Sequence, residues 1–465
     1  MFSADFLRPG RIVALAAAAV SVVALGVLST SAIDVSCDPG PCPPTPVTGD
    51  GDVVSDRFWF LHRDLGPQGS ITVRLTSMTG TITYPPPDHD EIVPGLVPWA
   101  KTGIIVKDGL RPGSRYAALM MTGEHGVRFQ HDYRHDVAGR PGGVSAGNPR
   151  WLRLTRSGDT ITGAESPDGV RWQDVGSAEL DGLPDTVRVG LFAASPHGLT
   201  LQRVALGGRI GQGRFTQAVG VFDGVTVEGG GGAWASEPVG EMNVTDWEKY
   251  HNPAGAVQTD GVVTISGTGD IGPLGEDPDP TADAALTGLV VALIIILVLA
   301  ARYGRAAPFE PRRAATVGAA ALVTGLLSVG TVLAVTGEPA VVRVVAGLAV
   351  AIGLCAVLAY GLGSLLRYGW ALALLLVIVP YTVTAVPLLP DPVAQWLLRV
   401  TPAAGFAVKQ TEVEYPQVLA HYAPSAGYFP LPWWAGLAVL AGWAGVIAFT
   451  AGRRARAHRP VPRAV

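Results

Sequence analysis

The spacing of apolar runs most constrains what this chain can fold into. One run covers residues 12–33, a long polar and turn-rich stretch follows, and five more runs crowd into residues 285–451. A segment must carry about 20 mostly apolar residues to cross roughly 30 Å of hydrocarbon at about 1.5 Å per residue. Residues 12–33, 285–301, 314–335, 344–366, 370–389 and 433–451 meet or approach that length, and none of these cores contains Asp, Glu, Lys, Arg or His. The order reads as a membrane protein with a large globular domain between its first and second spans.

Arginine placement orients the spans, because basic residues near span ends stay on the cytoplasmic side. With six spans, Arg8 and Arg11, then Arg302, Arg305, Arg312 and Arg313, then Arg367, then Arg453, Arg454, Arg456, Arg459 and Arg463 all fall on one side. The short connections opposite receive Arg343, Arg399 and Lys409. Both termini are therefore expected in the cytoplasm of a multi-pass plasma-membrane protein, with the large domain outside. The first run also has a basic start and small residues at Ser29-Thr30-Ser31-Ala32, as a cleavable signal does, but it exceeds the usual apolar core of such signals. A retained anchor is the better reading.

Composition agrees with two solvents in one chain: 48% hydrophobic and 15% charged residues average a soluble part with a membrane part. A net charge of -4 without a strongly basic patch gives no indication of nucleic acid. Cys37 and Cys42 follow the first span on the external side, and the Pro-Gly turn in Cys37-Asp-Pro-Gly-Pro-Cys42 allows a local disulfide in an oxidising compartment. Two cysteines with no nearby histidine supply too few ligands for a metal. Cys355, inside the fourth run, reads as a small apolar packing residue.

The expected organisation is a start and first span at 1–33, a Cys/Pro-rich linker at 34–49, a β-sandwich at 50–228, a glycine-rich hinge with a small β region and acidic linker at 229–283, a five-span membrane domain at 284–452 and a basic tail at 453–465. Within the external domain, Ser70-Ile-Thr-Val-Arg-Leu-Thr-Ser77 puts Ile71, Val73 and Leu75 on one face. Short runs at 103–108, 116–121, 126–130, 150–155 and 186–192 repeat the strand pattern between turns such as Pro167-Asp-Gly169. Regular short strands of this kind predict an antiparallel sandwich. The fold class is thus mixed, a polytopic α-helical membrane domain of about six spans plus an extracytoplasmic antiparallel β-sandwich.

Trp99-Ala-Lys-Thr-Gly-Ile-Ile-Val-Lys-Asp108, Tyr116-Ala-Ala-Leu, Arg150-Trp-Leu-Arg-Leu-Thr-Arg-Ser-Gly158 and Ser166-Pro-Asp-Gly-Val-Arg-Trp172 resemble concanavalin A-like jelly-roll domains. The resemblance implies a capacity to bind sugars, although fold alone does not establish function. A glycosidase needs two carboxylates across a sugar cleft, and the Glu-x-Asp-x-x-Glu strand of glucanases is missing, so no catalytic residue is assigned. Asp88-His-Asp-Glu91 reads as a solvated turn, and His125, His131 and His135 as an exposed polar edge; no metal or cofactor is expected. Phe58, Trp59, Phe60, Trp99, Trp151, Trp172 and Trp234 would suit stacking on sugar rings or, more plainly, core packing.

The membrane part lacks the ionisable relay that pumps and ion-coupled carriers place within the bilayer. No Gly-x-x-x-x-Gly-Lys-Ser/Thr phosphate loop occurs in the chain. Arg302-Tyr-Gly-Arg305, Pro380-Tyr381, Gln395-Trp-Leu-Leu-Arg-Val-Thr-Pro-Ala-Ala-Gly-Phe406 and the Arg453-Arg454 exit are similar to type-2 ABC exporter permeases, whose actinobacterial-type members can carry a concanavalin A-like insert after the first span. The resemblance implies a half-transporter that pairs with itself or a paralogue and docks on a cytoplasmic ATPase. Docking would use the 302–313 loop, with Arg302, Arg305, Phe309, Glu310, Arg312 and Arg313. That loop is short and carries Pro308 and Pro311, and its arginines would serve equally as anchors to anionic lipid. Val393, Trp396, Leu397 and Val400 recur at helical spacing, so Trp396 and Arg399 are placed on an interfacial or re-entrant helix. The alternative function is a membrane-anchored external binding or sensor protein that transports nothing.

Overall fold

The computed structural model describes residues 6–32, 44–83, 91–243, 246–274, 284–337, 342–410 and 414–457, with backbone alone at 36–37 and 40–41. The proposed Cys37–Cys42 bridge lies outside the described residues.

Among the described residues five helices are long and apolar enough to cross a membrane: α1 (Pro9–Ser31), α2 (Leu289–Ala306), α3 (Pro311–Thr336), α4 (Val342–Leu365) and α7 (Trp433–Ala457). Helices α1 and α3 begin with proline in their first turn, where a missing N–H costs nothing. Helix α3 stops at Gly337, whose φ of 79° closes the last turn in the left-handed conformation. The run expected at 370–389 forms a shorter helix, α5 (Gly369–Thr384, 16 residues). Pro380 removes one backbone donor near its end, and Pro387 and Pro390 prevent the helix from resuming.

Helix α4 lies at the centre, with Leu348, Ile352, Cys355, Ala356 and Ala359 buried among α2, α3, α5 and α7. Close approach of α2 and α4 depends on glycine, since a Cβ at Gly304 would run into the Tyr360 carbonyl and one at Gly363 into that of Ala301. Buried hydroxyls in these helices turn back on their own backbone: Thr316 donates to Arg312, Thr324 to Ala320 and Thr384 to Pro380. Such bonds satisfy a polar group where water is absent.

The large β-domain begins at β1 (Val54–Asp56) and ends at β17 (Ile271–Pro273), which pair antiparallel with Ile271 opposite Asp56. Entry and exit therefore meet, as an insertion between two neighbouring helices requires; α1 and α2 are in fact packed together. Between them run β2 (Phe58–Thr83), β3 (Ile92–Pro94), β4 (Lys101–Lys107), β5 (Tyr116–Thr122), β6 (Val127–His131), β7 (His135–Ala138), β8 (Arg150–Ser157), β9 (Thr160–Ser166), β10 (Gln173–Glu179) and β11 (Val187–Ala194). The chain continues through β12 (Gly198–Arg203), β13 (Arg209–Arg214), β14 (Thr216–Val239), β15 (Gly255–Thr259) and β16 (Val262–Gly267).

Among the described residues thirteen strands join one sheet in the order β10-β9-β8-β2-β11-β4-β5-β6-β7, with β14 on β2, β16 on β14, β15 on β16 and β3 on β2. The ladders are antiparallel. Strands β2 and β14, of 26 and 24 residues, run along each other and bend through several register shifts. Residues 229–232, expected as a hinge, lie inside β14 at two of these shifts, where Gly229 (φ 70°) and Gly232 (φ 73°) absorb the bend. Strands β15 and β16, expected as a separate small sheet, extend the same one.

Ile71, Val73 and Leu75 are buried together, as their alternation predicts, in a core shared with Ile104, Leu119, Leu152 and Leu191. Strands β4 and β5 are buried on both faces because a second core of Phe58, Phe60, Ile105, Tyr116, Met120 and Phe192 covers their other side. That second core contains two buried lysines. Lys107 reaches Asp56 at 2.7 Å, the Ser114 carbonyl at 2.9 Å and the Tyr133 hydroxyl at 3.0 Å. Lys101 reaches Asp270 at 2.5 Å and the Ile271 carbonyl at 2.6 Å. Burial lowers the Lys107 pKa and raises that of Asp270. Each carboxylate sits beside one of the paired entry and exit strands, so both lysines of β4 clamp the neck of the insertion.

Candidate functional site

The helical unit has an end facing the β-domain and a distal end, and the candidate residues divide between them. At the distal end the α2–α3 connection is residues 307–310. Phe309 is buried, its ring 5.3 Å from that of Tyr360; Tyr360 stacks on Tyr303 at 5.5 Å, and Tyr303 meets Phe6 at 5.1 Å. The Arg11 guanidinium lies 4.6 Å from the Tyr303 ring centre. The Tyr360 hydroxyl donates to the Pro308 carbonyl at 2.9 Å and accepts from the Glu310 N–H at 3.3 Å. Arg313 donates to Pro308 at 3.2 Å and lies 3.7 Å from the Glu310 carboxylate. A four-ring ladder thus fixes this connection against the segment before α1.

Of the residues expected to meet a partner, Arg302, Arg305 and Arg312 are exposed, and Glu310 and Arg313 are half-exposed and engaged with each other. Phe309 instead faces the bundle. Phe6 and Tyr360 were not singled out in the sequence; Arg11 entered only as a charge that orients the spans, and Tyr303 only within the Arg302-Tyr-Gly-Arg305 motif. The only local signal is that Tyr303 and Tyr360 are lone aromatics in otherwise aliphatic helix ends.

At the other end, α6 (Asp391–Val400) carries two stripes. Val393, Trp396 and Val400 are exposed, whereas Asp391, Gln395 and Arg399, spaced by four, face the loop over residues 414–428. Asp391 pairs with His421 at 3.2 Å, Gln395 donates to the Tyr422 carbonyl at 3.4 Å, and Arg399 donates to Gln395 at 3.2 Å with its guanidinium 5.5 Å from the Trp396 ring. The Trp443 indole donates to the Val400 carbonyl at 2.8 Å. Trp443 lies ten residues inside the start of α7, so the end of α6 dips about 15 Å along that helix. A 3₁₀ segment, Pro402–Lys409, returns through the bundle, with Phe406 buried against Tyr381. Trp396 and Arg399 therefore stand on a helix that enters the bundle from its β-domain end. Beside it, Arg343, Gln410, Tyr428, Phe429 and Trp433 line a cleft of about 320 Å³.

In the β-domain the aromatic rings are already engaged. Arg153 lies 3.8 Å over Trp172, Trp99 is stacked on His125 at 4.1 Å and lies 5.6 Å from Arg128, and Trp151 packs against Gly169 and Gly224 with Arg74 5.8 Å away. Phe58 and Phe60 are core residues. His131 and His135 stack on each other at 4.4 Å. Among the described residues no group of three His, Cys, Asp or Glu is placed to hold a metal. Glu165 accepts the Arg140 N–H at 2.6 Å. Most of Asp88-His-Asp-Glu91 lies outside the described residues.

No family model matches the chain, and no curated protein does. Among solved structures, a functionally unknown protein from Saccharomyces cerevisiae aligns at 15% identity over 40% of this chain and 81% of its own, with a TM-score of 0.23. Scytalido-glutamic peptidase with a transition state analog inhibitor aligns at 8% identity over 46% of this chain and 99% of its own, at 0.30. The GH43 protein BlXynB from Bacillus licheniformis aligns at 15% identity over 27% and 24%, at 0.20. Scores this low assign neither a shared fold nor an activity.

Proposed function

We propose that this protein is the permease subunit of an ABC-type exporter, with six helices in the plasma membrane, both termini cytoplasmic and a concanavalin A-like β-domain outside. A separate ATPase subunit would supply the energy, and a second permease copy or paralogue would complete the pathway. One observation carries the reading: the membrane helices hold no ionisable relay in their cores, and the chain has no nucleotide loop, so a driving force must enter through a surface. The distal end supports such a surface. Arg302, Arg305 and Arg312 point outward from a connection held rigid by the aromatic ladder. Sidedness is supported by arginine placement, since among the described residues of the helical unit Arg8, Arg11, Arg302, Arg305, Arg312, Arg313, Arg367, Arg453, Arg454 and Arg456 share the distal end, and Arg343, Arg399 and Lys409 are the basic residues at the other.

The second reading, a membrane-anchored external binding or sensor protein, is favoured by the brevity of the 307–310 connection and the inward turn of Phe309, which leave little to insert into a partner. Purification from native membranes separates the two. An ATP-hydrolysing subunit that co-purifies in fixed ratio, and is lost on charge reversal at Arg302, Arg305 and Arg312, is the expected result; a chain that purifies alone supports the sensor. The β-domain ligand class remains a glycan or envelope component in this proposal, although the engaged aromatics give it no free stacking surface at Trp99, Trp151 or Trp172.

A further inference from the structure

Among the described residues strands β12 and β13 pair only with each other, forming a hairpin that stands apart from the main sheet. Its register sets Arg203 directly opposite Arg209, on the face that also carries Leu199 and Leu201. Like charges opposite each other on one face are unfavourable, yet among the described residues neither arginine has an acidic partner. The turn beyond them, Val204-Ala-Leu-Gly-Gly208, lifts Leu206 to 76% exposure in the left-handed conformation (φ 57°), which leucine rarely adopts. Leu201 and Ile210 are exposed behind it.

The tip has a definite position. Gly208 lies against the Pro387 carbonyl, a Cβ at Gly207 would touch Pro390, and a Cβ at Gly211 would meet Leu199 and His421. Pro387 and Pro390 connect α5 to α6, so the hairpin rests on the link between those helices, and α6 beyond that link exposes Val393, Trp396 and Val400. An apolar tip with two guanidinium groups at its neck that have no acidic partner among the described residues, set on the link into a helix with an exposed apolar stripe, has the charge and polarity profile of a headgroup layer. Arginine forks match phosphate oxygens, while apolar residues enter the acyl boundary.

We propose that this hairpin docks on the outer leaflet, with Arg203 and Arg209 binding the phosphates of anionic phospholipid headgroups and Leu206 entering the headgroup–acyl boundary. The proposal rests on the membrane-spanning reading. It would tie the β-domain to the bilayer at a point far in sequence from both linkers, fixing its tilt over α5 and α6.

The test uses the full chain, with Cys37→Ser, Cys42→Ser and Cys355→Ala, in nanodiscs containing lipid with a nitroxide on the headgroup for positions 206 and 157 or on the acyl chain for position 446, and either phosphatidylcholine alone or added phosphatidylglycerol. A quenchable fluorophore is placed at Leu206→Cys, at Ser157→Cys on the β-domain, or at Val446→Cys in α7. The expected result is quenching at 446 in both discs, quenching at 206 that rises with phosphatidylglycerol, and little at 157. Arg203→Ser with Arg209→Ser should shift the phosphatidylglycerol titration at 206 by about twenty-fivefold, from roughly fivefold for each arginine. Quenching at 446 without quenching at 206 overturns the hairpin proposal and leaves the spans standing. Quenching at 206 that ignores both phosphatidylglycerol and the arginines overturns the phosphate assignment. An unquenched label at 446 overturns the membrane reading, and the hairpin proposal with it.

Discussion

Replacing Lys107 with Met tests whether the buried ion pair holds the neck of the β-domain. Both side chains of the Lys107–Asp56 pair are wholly inaccessible, at 0% each. In Lys107→Met the apolar stem remains, but the Asp56 carboxylate is left buried with only the Gly113 N–H at 2.7 Å and the Tyr133 hydroxyl at 2.7 Å as donors. Removing one member of such a pair costs about 3–5 kcal/mol, because the survivor is an uncompensated charge. At about 1.4 kcal/mol per tenfold, local opening at Val54–Asp56 and the facing strand should become roughly a hundredfold to a few thousandfold more frequent. Hydrogen exchange of the full chain, followed on peptides over Val54–Asp56 and Ile271–Pro273, reads this directly. Adding Asp56→Asn keeps an acceptor for Gly113 and Tyr133 while removing the charge, so the double variant should exchange more slowly than Lys107→Met alone. Exchange in Lys107→Met within severalfold of the native chain, or a double variant faster than the single, would refute the reasoning.

Other outcomes follow from particular residues. Gly304→Leu should separate α2 from α4 and lower the yield of folded protein in detergent, while Gly442→Leu, which has nothing within 4 Å, should not; equal yields would show that the helices can slide apart freely. Phe309→Ala should destabilise the helical unit by about 3 kcal/mol, as for a buried aromatic, whereas Arg305→Glu should leave the melting temperature nearly unchanged; the reverse order would mean that Phe309 is not packed inward. His62, buried beside Glu237 at 3.1 Å, has a pKa lowered from 6.5 chiefly by burial. The unfolded chain therefore takes up a proton first, so this contribution is intact above about pH 6.5 and is lost as pH falls toward the folded value; His62→Gln should flatten the acid side of the stability profile, and an unchanged slope would exclude His62.

Period-2 alternation made residues 70–77 of β2 and strand β8 visible because one face there meets the core and the other does not. In β4, β5 and β11 that contrast vanishes, since a second core covers the far face. The glycines at 229–232 look like a linker locally, but their strand status depends on β2, far away in sequence. The end of α5 was misplaced for a related reason: residues 385–389 are apolar enough to prolong the helix, and Pro380 and Pro387 decide otherwise. Phe309 shows the limit at the candidate site. A residue between two prolines in a short connection reads as exposed, and only the position of Tyr360 on α4 turns it inward. The hairpin's place on the α5–α6 connection likewise joins Gly208 to Pro387, a contact that no local pattern encodes.

In the proposed arrangement the β-domain and the distal arginine face lie on opposite sides of a membrane. In intact cells expressing the chain with Cys37→Ser and Cys42→Ser, a membrane-impermeant thiol reagent should label Ser157→Cys and should reach Arg305→Cys only after the membrane is permeabilised. Labelling of Arg305→Cys in intact cells, or protection of Ser157→Cys there, would contradict the proposed arrangement.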